Sequence, residues 1–190
     1  MKAILREVLG TLVLAVAIFM LIQVTLQTSD VRGSSMEPNF NNGQRLLISK
    51  AAYFFGEPER GDVIIFAPPD SIGSDDDFIK RIIGLSGEVV EIKDGDIYIY
   101  QEDGNVLVLD EGEYIHEPTR GSFLSDTIPP DSYFVLGDNR NNSNDSRIFG
   151  TVSRRDIVGK AWLSIWPPDK WGLAANYSLQ EQTDTFANNK

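Results

Sequence analysis

At 190 residues, with 42% hydrophobic and 24% charged residues, the chain has the composition of an ordinary folded protein with one or two domains. A net charge of −11 argues against nucleic acid as a partner, because phosphate contacts require clustered lysine and arginine. The absence of cysteine excludes a disulfide framework and a thiolate zinc site, and a single histidine, His116, excludes a histidine metal cluster.

From Val8 to Leu26 the chain carries no charge. As a helix this run spans roughly 28 Å, close to the hydrocarbon thickness of a bilayer. Lys2 and Arg6 precede it and Asp30 follows it, which predicts a cytoplasmic N-terminus and an extracytoplasmic remainder. A cleaved signal peptide is the rival reading, but the run exceeds a usual apolar core and Leu26–Asp30 offers no small-x-small cleavage site. A buried soluble helix rarely lacks a polar face over such a length. Residues 1–27 are therefore expected to be the cytoplasmic end and a transmembrane anchor.

Next comes Gly33-Ser34-Ser35-Met36-Glu37-Pro38, a poor helix former suited to an exposed, extended segment ending in a turn. Gln44–Phe55 is apolar and partly strand-like, and Val63–Phe66 reads as a buried strand stopped by Pro68 and Pro69. Ser71–Asp77, with its three aspartates, reads as a solvated loop, and Phe78–Gly84 as another strand. Asp94-Gly95 and Asp103-Gly104 predict hairpin turns joining Val89–Lys93, Asp96–Tyr100 and Asn105–Leu109 into a meander. Residues 110–131 are irregular; Tyr133–Leu136 and Ile157–Ile165 are later strands. No helix is expected between residue 31 and the C-terminal tail. Short strands with Gly and Pro turns predict an all-β, compact antiparallel domain over 28–172, with 173–190 as a polar, frayed tail.

Ser35 can be a nucleophile only with a base. His116 sits in an irregular loop with no motif around it and reads as a surface residue. Lysine is the alternative base. In Phe78-Ile79-Lys80-Arg81-Ile82-Ile83-Gly84 a strand would turn Lys80 to the side of Phe78 and Ile82. Apolar surroundings would lower its pKa, and reaching about 7 requires roughly 4–5 kcal/mol of desolvation. From the strand alone, a snorkelling surface lysine is the simpler reading. A third stretch, Gly137–Arg147, is either a polar loop or a support: a hydroxyl to orient the lysine and an Asp–Arg pair to fix the loop.

Taken together and in order, these stretches resemble the type I signal peptidases, membrane-anchored Ser-Lys endopeptidases that remove signal peptides from exported proteins. The resemblance runs through Gly33–Pro38, Arg45–Leu47, Gly61–Ile64, Lys80–Glu88 and Gly137–Arg147. It implies a signal-peptidase-like β fold with Ser35 as nucleophile and Lys80 as general base. Ser143 would bond the lysine amine, Asp145 and Arg147 would support the site, and Met36 would shape the substrate pocket. It further implies signal peptides and the lipid bilayer as partners, no cofactor or metal, and alanine-like residues at the first and third positions before the cut. Ser86, Glu88 and Asn141 depart from the family's pattern. So does Gly33, which stands where some members carry an oxyanion-hole hydroxyl. The hole would then use the Ser35 N–H with a backbone group or water near Gly33, Ser34 being no obvious substitute. Two other readings are a Ser-Lys self-cleaving regulator, which would carry a DNA-binding domain before the serine, and a catalytically inactive, membrane-anchored β module that binds exported chains.

Overall fold

The computed structural model describes residues 2–54, 56–74, 76–177 and 181–183. Phe55, Asp75 and most of the tail beyond Tyr177 lie outside the described residues. Helix α1 (Lys2–Thr25) takes up the apolar run. Its Ile4–Thr25 stretch has a mean hydropathy of 2.4 with none of it buried, so it is long and apolar enough to cross a membrane. Leu26, expected within the helix, instead opens strand β1 (Leu26–Asp30), which pairs at once with β2 (Arg45–Ser49).

The first sheet also contains β3 (Val63–Phe66), β4 (Phe78–Gly84), β9 (Ser132–Leu136), β10 (Val152–Ser153), β11 (Ile157–Trp166) and β12 (Gly172–Leu173). Its strand order is β1-β2-β11-β3-β4-β9-β10, with β12 paired to β11. A second sheet has the order β13-β7-β6-β5-β8, built from β5 (Val89–Lys93), β6 (Asp96–Tyr100), β7 (Val106–Leu109), β8 (Phe123–Leu124) and β13 (Glu181–Thr183). Every pairing is antiparallel. The all-β expectation holds, and the meander falls where the Asp-Gly turns place it. Asp94 and Gly95 both take positive φ, 55° and 97°, as a tight hairpin turn demands.

Period-two patterning explains the packing. All four residues of β3 are buried, because both faces of this strand are covered. Val63 and Ile65 join Met36, Phe40, Leu46, Ile48 and Ile79 on one side; Ile64 and Phe66 join Ile82 and Val135 on the other. Ile83, Leu136 and Phe134 cross over to pack with Val90, Ile92, Ile97 and Ile99, which locks the second sheet to the first. Each such fully buried side chain contributes about 1.5–3 kcal/mol.

Two expectations need correction. A short helix, α2 (Ser146–Phe149), lies in the stretch expected to hold none; its single turn is too short to set up a helical period, and Asp145 caps it by accepting from Arg147 N–H. The chain past Leu173 is also not frayed at once. Ala174 is buried, and the Asn176 side chain accepts from Val63 N–H at 2.8 Å and donates to Ala161 O at 2.8 Å. A short amide in place of an apolar run hides this docking from hydropathy.

Candidate active site

Ser35 stands on a turn just after β1. The polar loop that follows β9 clamps its backbone: Asn139 N–H donates to Ser35 O at 3.0 Å and Asn139 Nδ2 to Ser34 O at 3.1 Å. This close approach depends on Gly137, where a Cβ would run into the Ser35 carbonyl oxygen and the Ser143 hydroxyl. Asp145, wholly buried, accepts from Gly137 N–H at 3.1 Å and from Arg147 Nε at 2.8 Å, while Arg147 Nη2 holds Arg140 O at 2.6 Å. Asp145 and Arg147 are thus brought to the loop that carries the clamp.

Lys80 enters from β4, on the face it shares with Phe78 and Ile82, and is only 4% exposed. Its Nζ lies 2.7 Å from Ser35 Oγ and 2.8 Å from Ile79 O, with the Phe78 ring centroid 5.3 Å away. Burial pulls its pKa down from 10.5 to about 8, against the opposing pull of the Asp145 and Asp138 charges. Neither carboxylate bonds the amine: Asp138 is engaged by Arg81 and Asn39, and Asp145 by Arg147 and Gly137. A serine hydroxyl in contact with a buried amine of lowered pKa is the arrangement that a nucleophile and its base require. His116 is exposed and does not line this site.

A groove of about 340 Å³ opens at the pair, lined by Ser29–Ser35 on one side and Asp76–Lys80 on the other. Leu46, Ile65, Phe78 and Ile79 supply apolar surface, and Asn142 and Asn144 close one end. Along β4, Phe78–Arg81 pair with β3, whereas β9 pairs only from Arg81 onward. The β9-side edge of Phe78–Lys80 is therefore open toward the groove. Among the described residues no group of His, Asp or Glu could hold a metal ion.

Residues 5–166 match the family model described as signal peptidase, peptidase S26. The chain belongs to that family. Among its relatives, a probable signal peptidase I-2 of Synechocystis is 39% identical over 157 residues, covering 81% of this chain and 69% of the relative. A signal peptidase IB of Staphylococcus aureus is 32% identical over 178 residues, 87% of this chain and 91% of the relative. A crystal structure of a signal peptidase I from Enterococcus faecalis is 34% identical, covering 55% of this chain and 97% of that one, with a TM-score of 0.46.

Two of the roles implied by resemblance to type I signal peptidases differ from the geometry. Ser143 does not bond Lys80; among the described residues its hydroxyl is buried without a partner, beside Gly137, and Ile79 O receives the second amine hydrogen bond. Met36 is 1% exposed and packs in the core with Phe40 and Leu46, beneath the groove rather than in its wall. Sequence reasoning also missed Asn139 and Asn142, whose side chains bond Ser34 beside Ser35. The density of asparagine in Gly137–Asp145 was the available signal.

Proposed function

We infer that this chain is a serine endopeptidase that removes signal peptides from exported preproteins, with Ser35 as the nucleophile and Lys80 as the general base. The observation that carries the residue assignment is the 2.7 Å approach of Lys80 Nζ to Ser35 Oγ. With the amine neutral, the hydroxyl donates its proton to Nζ as Oγ attacks the scissile carbonyl carbon. The ammonium then returns that proton to the leaving amine, and water hydrolyses the acyl-enzyme.

The end of the signal peptide adds as a strand between Ser29–Ser35 and the open edge of β4, its backbone bonding there. Leu46, Ile65 and Ile79 leave room in the groove for small side chains, which suits Ala-x-Ala sites. The helix α1 spans the membrane with Lys2 and Arg6 on the cytoplasmic side. Exposed Phe54, Trp162, Trp166 and Trp171 rest the domain on the lipid interface. Trp162 supports this most directly: it lies beside Ala161, which is joined through Ile48 to Gln27, just past the helix end.

The test is cleavage, in detergent, of a preprotein bearing an Ala-x-Ala site. Ser35→Ala and Lys80→Ala are expected to leave it intact, and wild-type cleavage by either would overturn the assignment.

A further inference from the structure

Stabilising the oxyanion of the tetrahedral intermediate takes hydrogen-bond donors fixed in place before the reaction. The peptide unit joining Ser34 to Ser35 is held in this way. Ser34 O accepts from Glu37 N–H and from Asn139 Nδ2, both at 3.1 Å. In a planar trans peptide the Ser35 N–H points opposite to that carbonyl, and among the described residues it has no acceptor. One donor is therefore held in place and free.

The second donor has few sources. Gly33 has no side chain, and its N–H is taken by Asn42 Oδ1 at 3.0 Å. The Ser143 hydroxyl is buried on the carbonyl side of Ser35 and does not line the groove. Ser34 remains. Its Oγ accepts from Asn142 Nδ2 at 3.0 Å, while its own O–H has no acceptor among the described residues. Ser34, Ser35 and Asn142 all line the groove. Only Cβ, Cα and the carbonyl carbon separate Ser34 Oγ from the Ser35 nitrogen, which keeps the two donors close along the chain. A hydroxyl with one lone pair engaged keeps its hydrogen free to donate.

We propose that the Ser34 hydroxyl, positioned by Asn142, is the second oxyanion donor beside the Ser35 N–H. This rests on Ser35 being the nucleophile. As Ser35 Oγ bonds to the carbonyl carbon, the carbonyl π pair moves onto its oxygen, and both donors shorten onto that charge. The contact strengthens only in the transition state, so it acts on kcat and not on KM.

The experiment is steady-state cleavage of an Ala-x-Ala preprotein by the full chain in detergent. Ser34→Ala is expected to lower kcat about 100-fold with KM within about twofold, and Ser34→Thr to keep most of the rate. Asn142→Ala is expected to lower kcat about tenfold, and Ser34→Ala/Asn142→Ala to be no slower than Ser34→Ala alone, because Asn142 acts through Ser34. Wild-type kcat for Ser34→Ala, a loss carried by KM, or multiplying effects in the double variant would each overturn the proposal. If Ser35→Ala itself cleaves, the nucleophile assignment fails instead; if Ser35→Ala is dead while Ser34→Ala is normal, only the second donor is wrong.

Discussion

Lys80 and Arg81 are neighbours on one strand, both cationic and both buried, at 4% and 0% exposure, yet their surroundings are opposite in kind. Arg81 makes a two-pronged pair with Asp138, at 2.8 and 2.7 Å, and donates to Gly61 O and Ala175 O at 2.9 and 2.8 Å. The rings of Tyr114 and Tyr177 lie 4.4 and 5.1 Å from its guanidinium carbon. Lys80 has a serine hydroxyl, one carbonyl and a phenyl ring, with no carboxylate bonded to it. Strand alternation sends the two side chains to opposite faces of β4. A buried cation given a full set of partners is a structural post; one given too few has its pKa pulled down, as the proposed base requires.

Lys80→Met breaks the contrast most strongly. Cleavage should fall by about 10²- to 10⁴-fold or more, the loss expected when the proposed general base is removed. At pH 7 the folded protein holds a mostly protonated, poorly solvated amine, so the same substitution should raise stability by about 1–3 kcal/mol, measured by urea unfolding. A variant that loses activity and stability together would contradict this account of Lys80.

Asp138→Asn tests the other cation. It leaves Arg81 charged and unpaired in the core, and a loss of about 3–5 kcal/mol in urea unfolding is expected. Next in size is the pH dependence. Single-turnover cleavage should rise about tenfold per pH unit up to about 8 and then level off, as the base loses its proton. Folded Lys80 releases its proton near pH 8 and the unfolded chain only near 10.5, so unfolding takes up a proton between those values. The stability due to this group therefore rises with pH across that window and is lowest below it. His116→Ala should do least: cleavage unchanged and stability within about 0.5 kcal/mol, because the ring is exposed and away from the groove.

Much of this was legible in the residues. The β-branched runs at Val63–Phe66 and Val89–Lys93 and the Asp-Gly turns announce local preferences, and the structure keeps them. The Ser35–Lys80 partnership could be named only through resemblance, since the two residues are brought together by the pairing of distant strands. What stayed hidden is the choice among equivalent polar partners. Ser143 and Ile79 O could each serve the amine, and only the packing against Gly137 decides between them. Met36 carries no local mark of facing inward, and Asn176 reads as tail until its amide meets the first sheet.

The join between α1 and β1 has a practical consequence. Lys50 N–H bonds Thr25 O at 2.8 Å, and the ladder with β2 starts at Leu26, so no slack chain separates the helix from the sheet. A water-soluble form is best begun at Leu26, which keeps the outer strand and its Asp30–Arg45 pair. Begun at Val31, it would strip the edge of β2 bare and invite self-association through it.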